Sequence, residues 1–287
     1  MELDVFGLLG KSENQARIFF KKNCWKNGHV FCTRCRSYKI YRIVNKRYRC
    51  KRCGYTFHDF SNRWINKLNI SFKHWLWLIK LFELDISTRK IADQVRLSYP
   101  TVLKATTLLR VSIYVDGTDD ADLLQEGPYI NDICYGKDYE RKEGNYFDGK
   151  VPVIGIKKKD GMIRMKCIRC EDVDFNLQQP IKNNKIDSFL CDAKLQNYDY
   201  LMCCDYKSLK LSLSGRPASS VRCGLDGIES FLSYAKERLL KFHGISKDKF
   251  ALYLKEIEFR YNHRQDDLFI LFIQKICALL PFQMSTH

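Results

Sequence analysis

Long apolar runs are missing from this 287-residue chain. No stretch reaches the roughly eighteen apolar residues of a membrane-spanning helix. Residues 75–82 and 269–280 come nearest, and a lysine interrupts each. The opening Met1-Glu2-Leu3-Asp4 is acidic and lacks the basic-then-apolar pattern of a secretory signal. The expected setting is therefore a cytoplasm, at the nucleoid, or a nucleus in a eukaryotic host. No internal repeat and no low-complexity tract are present, which excludes solenoids and compositionally biased linkers. Without an export signal, the 13 cysteines imply reduced thiols and metal binding instead of a disulfide framework.

Negative charge is scarce at the front. Residues 1–114 hold 23 Lys and Arg against 7 Asp and Glu, whereas residues 115–287 hold 26 of each kind. The whole formal net charge of +16 sits in the first two-fifths of the chain. A merely solubilising surface has no reason to be so one-sided. A basic half joined to a neutral half implies a polyanion-binding module attached to a second domain. Three stretches are expected: a cysteine-bearing one at 1–66, a helical one at 67–114, and an α+β one at 129–287, with a turn-rich acidic linker before the last.

Cys32-x-x-Cys35 and Cys50-x-x-Cys53 are separated by 14 residues. Each C-x-x-C turn lets two thiolates converge on one ion, and two such turns close a tetrahedral structural zinc site. Four cysteines leave no open position for water, so catalytic zinc is excluded there. Tyr38, Tyr41, Arg42, Lys46, Arg47, Tyr48, Arg49, Lys51 and Arg52 interleave the site. That mixture suits phosphate contacts, with Arg47, Arg49, Lys51 and Arg52 as the candidates. Cys167-x-x-Cys170 lies in an expected strand, where residues three apart face opposite ways, so it reads as buried thiols. Cys24, Cys134, Cys191, Cys223 and Cys277 read likewise.

Three serines punctuate the helical stretch. Ser71 caps an apolar helix (Phe72, Trp75, Leu76, Ile79, Phe82), Ser87 a short one, and Ser98 a third with Pro100 in its first turn. A short helix, a tight turn near Arg96-Leu97 and a further helix make a helix-turn-helix layout. Thr101, Lys104 and Thr107 are then candidates for the major groove, with Arg96 and Arg110 near phosphates. An ordinary helical hairpin has the same punctuation; the charge segregation favours DNA.

Beyond the linker, residues 151–159 and 162–170 flank Asp160-Gly161 and predict a β-hairpin. Residues 186–191 predict a strand ending at Asp192. A helix over 227–242 presents Ile228, Phe231, Leu232, Ala235 and Leu239, and another, capped by Ser246, presents Phe250, Tyr253, Leu254, Ile257 and Tyr261. Phosphoryl transfer on DNA is commonly run by divalent ions held between carboxylates from separate elements. Asn131-Asp132, Asp192 and Glu229 fit such a plan, and Lys236 falls near the Glu229 face two turns on. Solvated strand-end aspartates and a helix N-terminal glutamate fit the same positions.

Further residues carry a resemblance. They are Phe19-Phe20, the two C-x-x-C turns with Tyr48-Arg49, Phe57 and Trp75 at the front. At the back they are Gly227-Ile228-Glu229-Ser230-Phe231, Ala235-Lys236, Lys241-Phe242, Gly244-Ile245 and Glu256-x-Glu258-Phe259-Arg260-Tyr261-Asn262-His263-Arg264. The chain resembles bacterial insertion-sequence transposases of the DDE type with an N-terminal zinc ribbon, the branch related to eukaryotic Merlin elements. The resemblance implies an RNase H-like core and metal-dependent cleavage of transposon ends with strand transfer into target DNA. It also implies Mg2+ or Mn2+ at the reaction centre, structural Zn2+, and a homodimer or larger assembly on double-stranded DNA. By the same resemblance Asp192 and Glu229 are the second and third carboxylates and Lys236 the basic partner. The first Asp of the family falls on Asn131, with Asp132 beside it. A neutral amide ligates a hard cation more weakly than a carboxylate. The alternative reading is therefore a transposase impaired or repurposed as a zinc-dependent DNA-binding protein.

Overall fold

Ser12 opens the first helix, α1 (Glu13–Cys24), with a capping box: its hydroxyl accepts from the Gln15 N–H, and the Gln15 side chain accepts from the Ser12 N–H. Glu13, in the first turn, then caps a second helix. Its two carboxylate oxygens accept from the N–H groups of Phe72 and Lys73 at 2.8 and 2.9 Å, at the start of α2 (Phe72–Glu83). A carboxylate there meets both the orphan donors and the positive end of the helix dipole. The computed structural model describes residues 7, 10, 12–116, 153–159, 161–168, 200–205, 208–213, 228–241 and 249–281. Two units divide the chain: Met1–Asp119 with Gln265–His287, and Asp120–Arg264.

In the first unit, β1 (Ile40–Ile43), β2 (Arg47–Cys50) and β3 (Thr56–Phe57) form an antiparallel sheet in that order. The helical triplet follows as α2, α3 (Thr88–Val95) and α4 (Tyr99–Asp116). Ser71 and Ser87 cap α2 and α3 through the N–H groups of His74 and Lys90. Ser98 turns its hydroxyl to that of Thr101 instead, at 2.8 Å. Trp75, Leu76, Leu78, Ile79 and Phe82 of α2 are buried, with Ile91 and Val95 of α3 and Val102, Ala105 and Leu109 of α4.

The last helix, α7 (Leu268–Cys277), completes this unit. Its Phe269, Phe272, Ile273, Ile276 and Cys277 are buried, and it packs on α1, α2 and α4, with Phe272 edge-on to Phe82 at 5.2 Å. The chain then runs beside residues 62–64, where Leu280 N–H donates to the Asn62 carbonyl at 2.9 Å. Residues 129–287 were expected as one stretch, yet 265–281 lie with the first unit. α2 and α4 leave apolar surface uncovered, and α7 covers it.

In the second unit, β4 (Val153–Lys159), β5 (Met162–Ile168), β6 (Tyr200–Asp205) and β7 (Ser208–Leu213) form a sheet ordered β5-β4-β6-β7, antiparallel at every junction. The β4–β5 hairpin turns where Asp160-Gly161 predicted it, with Gly161 at φ +76°. The β6–β7 hairpin had no counterpart in the sequence reading. Helices α5 (Ile228–Lys241) and α6 (Phe250–Asn262) supply Phe231, Leu232, Ala235, Phe250, Leu254, Ile257 and Tyr261 to a core shared with Ile163 and Met165. Lys249, not Ser246, stands at the α6 N-cap. The strand expected at 186–191 lies outside the described residues. The architecture is mixed α+β.

Candidate zinc centre and nucleic-acid interface

Two local turns of the same design build the four-cysteine cluster. In the first, the Arg36 N–H donates to Cys32 O at 2.9 Å and the Cys32 N–H to Ser37 O at 2.9 Å. In the second, the Gly54 N–H donates to Cys50 O at 3.0 Å and the Cys50 N–H to Tyr55 O at 3.0 Å. Each turn curls its two thiols to one side. The four sulfurs lie within 4.8 Å of one another, with Cys32–Cys53 and Cys35–Cys50 at 3.6 Å. A zinc–sulfur bond near 2.3 Å gives a tetrahedron edge of about 3.8 Å. The donor set and its size therefore fit structural zinc.

Four thiolates this close together repel one another. Burial pushes Cys32 up to about 12. For Cys50 burial also works upward, but the N–H groups of Cys53 and Arg52, with the neighbouring thiols of Cys35 and Cys53, bring it down to about 6. A dication at the centre supplies the charge that four thiolates need.

Asp59 anchors the ribbon to α1. Only 2% exposed, it accepts from Trp25 Nε1 at 2.9 Å and from the Tyr48 hydroxyl at 3.3 Å, and it pairs with Lys21 at 3.3 Å. Arg63, 3% exposed, donates through Nε to Asp59 O and through Nη1 to Cys277 O, and lies 4.4 Å over the Trp25 ring. Two backbone carbonyls and the Trp25 ring hold this buried guanidinium, while Nη2 has no hydrogen-bond partner among the described residues, and burial lowers its pKa. Neither residue drew notice in the sequence; no local spacing marks them.

The candidate DNA contacts divide by position. Strand alternation leaves Arg47 and Arg49 exposed while Tyr48 and Cys50 are buried. Tyr41 and Thr56 pair with Arg49 across the sheet, so an aromatic ring and a hydroxyl flank the cation. Lys51 and Arg52 are exposed in the second turn, and Arg34, Arg36, Lys39, Arg42 and Lys46 add to the same ribbon. On the triplet, Arg96 and Lys104 are exposed and Thr101 and Thr107 half-buried. Arg110 is different: it is 6% exposed, with its guanidinium 5.2 Å over the Phe82 ring. Its place in the helical core takes it out of the phosphate-facing set.

Of the candidate catalytic residues, Glu229 lies in the first turn of α5 and Lys236 seven residues on. Asn131, Asp132 and Asp192 lie outside the described residues.

Paired cysteine turns on a small antiparallel sheet, beside exposed arginines and lysines, define a zinc-ribbon protein. Residues 11–56 match the transposase zinc-ribbon domain and residues 126–262 the ISXO2-like transposase domain. An uncharacterized transposase-like protein of Haemophilus influenzae is 34% identical over 107 residues, covering 35% of this chain and 86% of that protein. The chain belongs to the ISXO2-like DDE transposases that carry an N-terminal zinc ribbon. No solved structure matches it. Membership brings DNA binding and the phosphoryl-transfer chemistry of the class. Among the described residues, no helix is long and apolar enough to cross a membrane.

Proposed function

We propose that the chain is an active DNA transposase. Its first unit holds the terminal inverted repeats of its element, and its transposase domain cuts those ends and joins them to target DNA. The observation that carries this reading is the transposase-domain match over residues 126–262 in a chain whose front end is a basic zinc ribbon. Duplex contacts fall to Arg47, Arg49, Lys51 and Arg52 of the ribbon and to Arg96, Thr101 and Lys104 of the helix-turn-helix. The core is RNase H-like, in the branch related to Merlin elements, and works as a homodimer or larger assembly at the nucleoid.

In this proposal Asp192 and Glu229 hold Mg2+ or Mn2+, with a third ligand from Asn131 or Asp132, and Lys236 contacts DNA phosphate nearby. Carboxylate oxygens are the donors such hard cations prefer, and the bound ions supply charge neutralisation at the phosphodiester and an activated water. Asn131 supports a second reading, a DNA-binding protein that no longer cuts, because an amide brings no charge to the ion. Incubation with Mg2+ and a duplex carrying the terminal repeats separates the two. Active protein nicks the repeat ends, and Glu229→Gln abolishes nicking while leaving duplex binding intact. Nicking that survives Glu229→Gln removes that residue from the site, and wild-type protein that binds without nicking leaves the second reading.

A further inference from the structure

Seven non-glycine residues among those described have left-handed backbones: Asn27, Arg36, Asn45, Lys46, Asn62, Asp85 and Arg96, with φ between 54° and 63°. Four are Asn or Asp, whose short polar side chains tolerate that conformation. The other three are all long cations, for which it is unfavourable.

Each of the three stands where glycine is the usual choice. Arg36 ends the first cysteine turn, at the position that Gly54, φ +70°, fills in the second. Lys46 follows Asn45 at the tip of the β1–β2 hairpin, and in paired left-handed turns the second residue is typically glycine. Arg96 is the C-cap of α3 within the helix-turn-helix turn, with its N–H on Ala92 O, again a common glycine setting. All three side chains are exposed. Among the described residues none makes a side-chain hydrogen bond or ion pair. Arg36 lies 5.7 Å over the Phe31 ring, but its charge also opposes that of the buried Arg63.

Residues strained without a side-chain hydrogen bond or ion pair within the fold point to a function outside it. We infer that Arg36, Lys46 and Arg96 are protruding phosphate contacts for duplex DNA, kept in left-handed turns for binding and against local stability. The occupant follows from charge: the unit has a large excess of cations, and the DNA backbone is the polyanion that the family brings to it. The inference rests on the DNA-binding reading and deepens it: Arg36 and Lys46 are added as contacts, and Arg96, already among them, shares their left-handed backbone.

The test uses full-length, zinc-loaded protein and a labelled random-sequence DNA duplex over a salt series. Arg36→Asn, Lys46→Asn and Arg96→Asn are each expected to melt at the wild-type temperature or a few degrees above it. Each should bind about fivefold more weakly near physiological salt, with the slope of log affinity against log salt shallower by about 1. Arg36→Lys and Arg96→Lys keep the charge and should bind like wild type. An Asn variant that melts lower marks a side chain kept for folding and overturns the inference for that residue. Unchanged affinity and slope, with wild type binding normally, overturn the inference alone. Wild-type protein that fails to bind the duplex overturns the DNA-binding reading itself and the inference with it.

Discussion

The side-chain amide of Asn262 makes the two hydrogen bonds with Ile163 that another β-strand would make. Its Oδ1 accepts from the Ile163 N–H and its Nδ2 donates to the Ile163 carbonyl, both at 2.8 Å. One helical turn earlier, Glu258 accepts from the Met165 N–H at 2.6 Å. β5 is the outermost strand, and alternate residues of an edge point their backbone groups outward. Four residues of helix advance about 6 Å and two of strand about 6.8 Å, so the two ladders nearly match. Asn262→Ala should cost about 1–3 kcal/mol, the penalty for stranding half-buried backbone groups. Hydrogen exchange at the Ile163 amide should accelerate with it. Unchanged exchange there would mean that water serves the edge as well as the amide does.

Removing zinc should unfold the ribbon. The sheet buries only a few rings, chiefly Tyr48 and Phe57, and structural zinc contributes on the order of 10 kcal/mol of apparent stability. One zinc per chain is expected, and a strong chelator should abolish duplex binding along with the β-sheet signal. Cobalt substituted for zinc should show the visible spectrum of a four-thiolate tetrahedral site. A full-length protein that keeps its ribbon after chelation refutes the closed four-cysteine centre.

His58 makes the ribbon sensitive to acid. The ring is half-buried, and burial lowers its pKa below 6.5; the charge of Asp59 opposes this, and Arg47 and Arg17 reinforce it. Nδ1 accepts the Phe60 N–H at 3.1 Å, which the neutral ring alone can do. The unfolded chain therefore takes up the proton first as pH falls. Stability from this group is complete above about 6.5 and is lost as pH drops through the window between that value and the folded pKa. His58→Asn keeps an acceptor near the Nδ1 position and does not titrate. Denaturant melts from roughly pH 5 to 8 should show wild type losing stability relative to His58→Asn on the acid side. Zinc-ligand protonation is common to both proteins and cancels, so parallel curves would clear His58.

Deleting residues 265–287 should prevent the first unit from folding. Five buried side chains of α7 (Phe269, Phe272, Ile273, Ile276 and Cys277) leave with it. At about 2 kcal/mol each the loss is about 10 kcal/mol, comparable to the whole stability of an ordinary domain. Circular dichroism and duplex binding of residues 1–264 test this; a truncated chain that melts cooperatively and binds DNA contradicts it.

Features with a short sequence signature were readable in advance. The two C-x-x-C turns led to the thiol cluster, Ser71 and Ser87 to helix starts, Asp160-Gly161 to a hairpin, and the spacing of Phe231, Leu232 and Ala235 to a buried helix face. Arg110 was misjudged because its charge outweighed its context. It sits among Leu109, Val111 and Ile113, and a helix apolar on every side at that level is buried. The partners of α7 could not be read at all: Arg63 and Cys277 meet across 214 positions, and no periodicity encodes a contact of that range. The first ligand of the proposed metal site is hard for a related reason. Neighbouring Asn131 and Asp132 would face opposite sides of a strand, so the choice between them depends on register and not on residue type.

The docking of α7 sets an order of events during synthesis. Every residue of the ribbon and helical triplet leaves the ribosome long before Phe269 and Phe272, yet those two rings are buried in the same unit, with Phe272 against Phe82. A nascent or prematurely terminated chain lacks the helix that completes its first unit. If the first unit binds the element's ends as proposed, that engagement would wait until translation has also passed the transposase domain.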